Sequence, residues 1–177
     1  MVFSGSGGQG VITAAIIFAE AAVLYEKLNA VQSQAYGAAA RGGPTRSDVI
    51  IDDTEIQYPK VVQPNILVCL TQEAYADYFS IIRPGGLLIT DTRWVKIQRK
   101  VDARQKEVPM YDTVMKNIGK TIVFNICMLG VVTSLTGIIK PESIMKILGK
   151  RIPADFLEMN RKALDLGMRL GEEARDL

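Results

Sequence analysis

Two short, mostly apolar segments in the first half of the chain limit its possible folds more than any other feature. Residues 65–70 (NILVCL) and 87–90 (LLIT) have the length of strands and show no alternation of polar and apolar residues. Strands of this type are buried on both faces, as in the middle of a parallel sheet. Between them Thr71 is a good helix N-cap, and the segment 84–86 (PGG) ends the helix. The sequence therefore predicts an α/β fold with three layers, α/β/α, and a mainly parallel sheet.

The other elements predicted in the first two thirds are less regular. A helix is expected over 9–26, where apolar residues run nearly all the way round and imply burial on several sides. Residues 35–46 (AYGAAARGGPTR) contain three glycines and a proline, which favours a structured loop. Strands are predicted at 1–4, 29–33, 95–101 and 107–110, and a β-hairpin at 47–52 and 55–58.

The last third of the chain is predicted to be helical. In 155–173 the apolar residues recur at spacings of three and four, so this helix has one face that docks on the body of the protein or on a partner. No linker, repeat or change of composition interrupts the chain, and we expect a single domain over residues 1–177. The other predicted helices are 113–118, 121–136 and 141–148.

Composition excludes several kinds of chemistry. The chain has no histidine and two cysteines, Cys69 and Cys127. Histidine-based acid–base catalysis, Ser-His and Cys-His nucleophiles and imidazole metal ligation are therefore excluded, and two distant cysteines cannot hold a four-thiolate iron–sulfur cluster. Both cysteines lie in predicted core segments, where they act as small apolar residues. Lys and Arg total 21 against 19 for Asp and Glu, which gives no electrostatic argument for a nucleic-acid partner.

The apolar stretches do not predict a membrane protein. Residues 11–24 follow no basic segment and contain Thr13 and Glu20, so they match neither a secretory signal nor a spanning helix. Residues 122–132 are too short to cross a bilayer. We therefore expect a soluble, cytoplasmic protein with no membrane partner, since unpaired cysteines are normal in that compartment.

A glycine-rich loop, GSGGQG, precedes the first predicted helix. Its G-x-G-x-x-G pattern fits the dinucleotide-binding fingerprint, in which glycines allow a tight turn and free helix amides attract an anion. A dinucleotide site also needs an acidic residue about 20 positions later, and residues 29–37 contain none. The loop is therefore either a structural turn that brings the helix close to the sheet or a site for an anion or a partner. The candidate residues are Gly5, Gly7, Gly8, Gln9 and Gly10.

A second motif, YGAAARGGPTRS, places two arginines around a Gly-Gly-Pro turn. Arginines on a shaped loop offer planar pairs of donors that suit a carboxylate or a phosphate. Both arginines making internal ion pairs, with the glycines only building the turn, is an equally good interpretation, and the sequence leaves the two open. The candidate residues are Tyr36, Gly37, Arg41, Gly42, Gly43, Arg46 and Ser47.

Two further polar residues have a predicted environment. Asn125 lies in an apolar helix, which favours an internal hydrogen bond over a contact with a partner, because buried amides are normally satisfied locally. Asp91 ends a strand on the side where α/β sheets bind ligands. No base or metal ligand is near Asp91 in the sequence, so we do not assign it a catalytic role.

Together, these segments resemble the gamma subunit of 2-oxoacid:ferredoxin (acceptor) oxidoreductases, and most closely that of the 2-oxoglutarate type. The resemblance covers nearly the whole chain in the same order, although the lead into the glycine loop, residues 1–3, is shorter than is usual in the family. The matching segments are GSGGQGVITAAIIFAEAA (5–22), YGAAARGGPTRSDVII (36–51), LTQEAYADY (70–78), RPGGLLITDT (83–92), NIGKTIVFNICMLG (117–130) and TGIIKPESI (136–144).

The resemblance implies a role inside an enzyme complex rather than activity of this chain alone. Such a complex converts a 2-oxoacid, with 2-oxoglutarate to succinyl-CoA favoured, into an acyl-CoA with loss of carbon dioxide and electron transfer to ferredoxin or a similar acceptor. The implied cofactors are thiamine diphosphate with magnesium, iron–sulfur clusters and coenzyme A, none of them held by this chain alone. The implied partners are alpha, beta and cluster-bearing delta-type subunits. A second copy of this chain is a further candidate, because helices 9–26 and 121–136 offer more apolar surface than one sheet covers.

Carried onto this sequence, the family's loop motifs imply that both candidate sets form a wall beside the thiamine and coenzyme A region, without supplying reacting groups. Arg41 and Arg46 are the side chains expected to meet a partner carboxylate or a coenzyme A phosphate. Two other functions stay open at this point: a stand-alone nucleotide- or anion-binding module, and a purely structural dimerisation chain.

Overall fold

The computed structural model describes residues 1–36, 44–98 and 101–175. Their strands are β1 (Val2–Ser6), β2 (Asn29–Tyr36), β3 (Pro44–Asp52), β4 (Ile66–Cys69), β5 (Gly86–Asp91) and β6 (Ala103–Val108). These strands form one sheet in the order β2-β3-β1-β4-β5-β6. β3 runs antiparallel to both of its neighbours, and the other five strands all point the same way.

Helices cover both faces of the sheet, and the strands supply side chains to two cores. Phe3, Val68 and Ile89 face the larger core, which is completed by α1, α3, α4, α5 and α6. Leu67 and Leu88 face the smaller core under α2 and the 3-10 turn that follows it. The helices are α1 (Val11–Tyr25), α2 (Gln72–Tyr78), α3 (Met110–Asn117), α4 (Phe124–Thr136), α5 (Pro141–Arg151) and α6 (Ala154–Arg175), with 3-10 turns at Phe79–Ile81 and Thr121–Val123.

The predicted architecture is confirmed: three α/β/α layers, a mainly parallel sheet and a helical last third. The apolar face of α6 packs on the body, with Ala163, Leu166 and Leu170 buried and Phe156 left 46% exposed. Thr71 caps α2 as predicted, its side-chain oxygen accepting the Ala74 amide at 3.2 Å.

The predicted hairpin of 47–52 with 55–58 is wrong. β3 has β2 on one side and β1 on the other, so neither of its edges is free for a strand that follows it. The Asp52 carboxylate accepts the Thr54 amide at 2.8 Å, a turn that ends the strand. The hairpin in this region is instead β2 with β3, paired from Asn29 opposite Asp52 to Tyr36 opposite Thr45.

Two other boundaries also differ from the predictions. Part of the expected loop 35–46 is strand, because β2 continues to Tyr36 and β3 begins at Pro44. The strand expected at 95–101 is absent from the described residues 95–98, where the amide of Val95 donates to Asp91 O in a turn. The strand here is β6, the polar ARQKEV segment. β6 is an edge strand, and charged side chains are normal at an edge.

Helices α4 and α6 pack with their backbones in close approach. α4 is buried along most of its length, and glycines on both helices form the contact. A Cβ atom on Gly130 would lie 2.8 Å from the Gly167 Cα, and one on Gly167 would overlap the carbonyl oxygen of Cys127. A side chain at these positions would force the two helices apart.

Across the part of the chain that the structure describes, no helix combines the length and apolar character that crossing a membrane requires.

Candidate functional site

The glycine loop lies at the edge of the sheet that is formed by the carboxyl ends of the parallel strands. β1 and β4 end side by side, and the chain then enters α1 on one face of the sheet and α2 on the other. In α/β folds such a change of side opens a crevice between two strands, the usual position of a ligand site. Strand pairing places Gly5 beside Thr45 and Ser6 beside Pro44. The strand ends that flank the second motif therefore lie next to the glycine loop.

Residues 7–10 turn the chain from β1 into α1. Gly8 and Gly10 have φ values of +92° and +71°, which glycine adopts without strain. Gly10 is the N-cap of α1 and has no side chain to bond the helix amides. Since the first intrahelical bond runs from Ala14 N to Gly10 O at 2.9 Å, the preceding amides of the helix have no intrahelical partner. The start of α1 thus offers donors and a positive dipole end to an anion.

The Gln9 side chain bridges the ends of β1 and β4. Its Oε1 accepts the Ser6 amide at 2.8 Å, and its Nε2 donates to Leu70 O at 3.5 Å. A Cβ atom on Gly5 would overlap Gln9 Oε1, so glycine at position 5 makes room for this bridge. The bridge fixes the position of the loop relative to the crevice.

Asn125 joins the start of α4 to the glycine loop. Its Nδ2 donates to Gly10 O at 3.3 Å, which confirms the internal hydrogen bond predicted for this residue. Its Oδ1 is buried and has no hydrogen-bond partner among the described residues. An unpaired buried acceptor costs free energy, on the order of 1–3 kcal/mol. The amide therefore offers an acceptor beside the donors of α1.

Two grooves flank the glycine loop. The larger, of about 520 Å³, lies between the loop, the start of α4 and the junction of α5 with α6, and Asn125 and Asn160 are among its polar lining residues. The smaller, of about 320 Å³, lies over the crevice and is lined by Ser6, Gln9 and Thr71 together with aromatic side chains. Gly8, Gln9 and Thr121 line both grooves, so the loop is the wall between them.

Aromatic side chains that were not predicted from the sequence form one wall of the smaller groove. The Trp94 ring packs edge-on against Tyr111 with the centroids 5.4 Å apart, and Tyr111 packs in the same way against Phe124 at 5.8 Å. The Arg93 guanidinium lies over Trp94 and Tyr111, at 5.4 Å and 5.2 Å. Trp94 is 43% exposed. The sequence contains one signal for Trp94: it follows Asp91 closely, and Asp91 ends a parallel strand at the same edge of the sheet as the glycine loop.

The second motif is only partly described. Tyr36 ends β2, whereas Gly37, Arg41, Gly42 and Gly43 lie outside the described residues. The two candidates that follow them are in β3 and are engaged within the chain. Arg46 makes a two-pronged ion pair with Asp48, at 2.6 Å and 2.9 Å, and its NH2 donates to Val61 O at 3.2 Å.

This ion pair raises the pKa of Arg46, chiefly through the hydrogen bond to Asp48. Ser47 is fully buried, and its hydroxyl accepts from Gln32 Nε2 at 2.8 Å and donates to Ser33 O at 3.2 Å. The sequence left open whether Arg46 makes an internal ion pair, and in the structure it does. Ser47 connects β3 to β2 through its two hydrogen bonds.

Asp91 has a structural role, because its carboxylate is bonded to backbone amides. The Asp91 carboxylate accepts the amides of Tyr111 at 2.8 Å and Arg93 at 3.0 Å, and thereby holds the start of α3. Burial raises the pKa of Asp91 above the usual aspartate range.

Cys69 and Cys127 are buried in the core, as predicted, and burial raises the pKa of each thiol to about 12. A buried thiol with a raised pKa is a poor nucleophile, so both cysteines act as small apolar core residues.

Comparison with known proteins identifies the family. Residues 1–170 match the family described as pyruvate ferredoxin/flavodoxin oxidoreductase. The 2-oxoglutarate synthase subunit KorC of Methanocaldococcus jannaschii is 41% identical over 172 residues, covering 96% of this chain and 92% of its relative. The crystal structure of a keto/oxoacid ferredoxin oxidoreductase gamma subunit from Geobacter sulfurreducens superposes with a TM-score of 0.89 at 38% identity, covering 98% and 95% of the two chains.

A longer relative contains the same kind of region within a larger chain. The ketoisovalerate oxidoreductase subunit VorA of Methanothermobacter marburgensis is 31% identical over 132 residues, which cover 75% of this chain and 27% of VorA. The match over nearly the full length, the shared fold and the identity to these relatives agree with the resemblance found in the loop motifs. The chain belongs to the pyruvate ferredoxin/flavodoxin oxidoreductase family.

Proposed function

We propose that this chain is the gamma subunit of a thiamine- and coenzyme A-dependent complex that converts 2-oxoglutarate to succinyl-CoA and carbon dioxide and passes the electrons to ferredoxin or a similar acceptor. The observation that carries the proposal is the 41% identity, over 96% of the chain, to a subunit of 2-oxoglutarate synthase. The preference for 2-oxoglutarate over other 2-oxoacids rests on that similarity.

The side-chain chemistry supports a role without reacting groups. The chain has no histidine, and the buried cysteines have pKa values raised to about 12. Two buried cysteines in separate elements do not supply the four thiolates of an iron–sulfur cluster, and the described residues contain no group of three or more His, Cys, Asp or Glu side chains that could hold a metal ion. Those cofactors therefore belong to the partner chains, and this chain shapes the wall of the active site.

Coenzyme A does fit the residues around the glycine loop. Its phosphates are acceptors for the free amides at the start of α1, and its amide and hydroxyl groups are donors for the unpaired Asn125 Oδ1. Gly5, Gly7, Gly8, Gln9 and Gly10 would hold it from the described part of the chain, and Arg41 from the second motif. When bound, coenzyme A supplies the thiol that accepts the acyl group, while this chain binds and orients it.

The proposed partners are the alpha, beta and delta-type subunits and, through them, ferredoxin. The VorA match supports these partners. In VorA a region similar to this chain is part of a much longer polypeptide, so the remaining parts of such an enzyme are expected on separate subunits here. Exposed apolar side chains beside the two grooves also support docking of another subunit: Trp94 is 43%, Ile122 74% and Phe156 46% exposed. We place the complex in the cytoplasm.

Reconstitution tests the proposal. The alpha, beta and delta-type chains are mixed with and without this chain, and dye reduction is followed with 2-oxoglutarate, pyruvate or 2-oxoisovalerate as substrate. We expect activity only when this chain is present, and the highest kcat/KM with 2-oxoglutarate. An unchanged rate and unchanged assembly without this chain would contradict the proposal. A thermal shift of the isolated chain by nucleotides would favour the stand-alone binding module instead.

The two arginines of the second motif are expected to respond differently to alanine. Arg41→Ala would remove the charge-assisted contact proposed for this residue, roughly 1.5–3 kcal/mol, so the KM for coenzyme A should rise about tenfold or more. Arg46→Ala removes the ion pair with Asp48 and should mainly lower the melting temperature, with a smaller change in KM. If both variants leave assembly and the KM for coenzyme A unchanged, the assignment of this motif is wrong.

A further inference from the structure

The two edges of the sheet differ in how they are protected. The β6 edge has the charged side chains Arg104, Lys106 and Glu107, which discourage pairing with another strand. The β2 edge, NAVQSQAY, has no charged residue and no proline. β2 pairs with β3 residue by residue over its full length, without a bulge, and no described strand lies on its outer side. An uncharged, regular edge of this length is suited to pairing with a further strand.

An uncovered apolar surface lies next to this edge. α1 lies on the face of the sheet that carries the larger core, and its Val23 and Leu24 are 47% and 56% exposed. Together with Ile16, Ala19 and Ala30 they line a shallow groove of about 340 Å³ between α1 and β2. The charged lining residue Glu20 is paired with Arg151 of its own chain at 2.7 Å. The groove lining is therefore mainly apolar, with Gln32 as a further polar member, and its charged residue is paired within the chain.

We propose that a second copy of this chain pairs on the β2 edge, with β2 antiparallel to its counterpart and the two α1 helices side by side. A two-fold axis normal to the sheet keeps both α1 helices on one face, so one symmetry operation fills the open strand edge and covers the apolar side chains together. Because β2 is uncharged and the charged residue of the groove lining is already paired, two copies of these elements meet without like-charge repulsion.

This contact leaves the glycine loop accessible. The grooves of the candidate site lie at the carboxyl edge of the sheet, whereas the proposed contact runs along the side of β2. Self-association can therefore occur together with binding of the other subunits. The β2 edge and the exposed side chains of α1 do not depend on which 2-oxoacid the complex uses, so a measurement of self-association tests this contact alone.

Light scattering of the full chain measures the self-association. We expect the wild type to have a mass near twice 19.4 kDa. Ser33→Lys places a charge on the edge and Leu24→Lys places one on the apolar surface, and each should weaken the dimer at least tenfold. Ile122→Lys is the matched control, because Ile122 is a more exposed apolar residue, 74%, on a different surface. A monomeric wild type, or dissociation by the control alone, would overturn the proposal.

Cross-linking tests the geometry. Both native cysteines are buried, so a single cysteine introduced at Ser33 is the accessible thiol. Near the centre of β2, Ser33 lies close to its counterpart in an antiparallel pair, whereas Asn29 at the strand end does not. We expect a short bis-maleimide to link S33C into dimers, in the isolated chain and in the assembled complex, and to leave N29C monomeric. Linking of N29C without linking of S33C would show a different contact.

Discussion

Alanine at position 10 is expected to raise the KM for coenzyme A of the assembled complex about tenfold or more. Gly10 has φ +71°, where an L-residue costs roughly 1–2 kcal/mol. In addition, its Cβ atom would lie 2.6 Å from Asn125 Nδ2 and 2.8 Å from Asn125 Cγ. The start of α1 would have to move away from α4, so the amides proposed to hold the coenzyme A phosphates would be displaced. A lost charge-assisted contact of roughly 1.5–3 kcal/mol corresponds to a change of this size.

Gly85→Ala is the matched control for this substitution. Gly85 has nearly the same backbone conformation, φ +73°, but an added Cβ atom would meet nothing within 4 Å. It precedes β5, at the opposite edge of the sheet from the glycine loop. The control should lose a similar amount of stability from backbone strain while the KM for coenzyme A is unchanged. Equal KM values for G10A, G85A and the wild type would refute the proposed role of the loop.

Gly167→Ala is expected to lower the melting temperature of the chain by about 4–8 °C. The added Cβ atom would overlap the Cys127 carbonyl oxygen and lie 2.9 Å from Gly130 Cα, so α4 and α6 must separate. Overpacking costs up to about 3 kcal/mol, offset by roughly 1 kcal/mol of helix propensity gained. For a chain of this size about 2 kcal/mol corresponds to that shift. Circular dichroism melting measures it.

Gly149→Ala shows what the same substitution does without a neighbour. Gly149 lies inside α5, and its added Cβ atom would meet nothing within 4 Å. This variant should therefore be more stable than the wild type, by roughly 0.5–1 kcal/mol. If Gly167→Ala were also stabilising, the close approach of α4 and α6 would not be a constraint on this fold.

The architecture could be predicted where burial alone decides the structure. The apolar runs that became β4 and β5 are buried on both faces, so their composition identified them as central strands. Edge strands were harder. β6 is polar because an edge is exposed, and its sequence therefore has no apolar signal. The partners of β3 depend on long-range pairing, and local turn residues suggested a hairpin on the wrong side.

The candidate site shows the same division. The glycine loop and the internal hydrogen bond of Asn125 could be predicted from local chemistry. The ion pair of Arg46 could not, because residues 35–46 were expected to be a loop, whereas a strand places Arg46 and Asp48, two residues apart, on one face. Trp94 joined the site through the tertiary contacts of Tyr111 with Phe124, which no local pattern contains.

In the assembled complex, this chain is expected to contact coenzyme A without supplying reacting groups. Hydrogen–deuterium exchange of the whole complex, with and without coenzyme A, tests it most directly. We predict slower amide exchange in residues 7–14 and 36–46 when coenzyme A is present, and no change in residues 164–175 of α6, which line neither groove. Protection confined to the other subunits, with these two segments unchanged, would contradict the account.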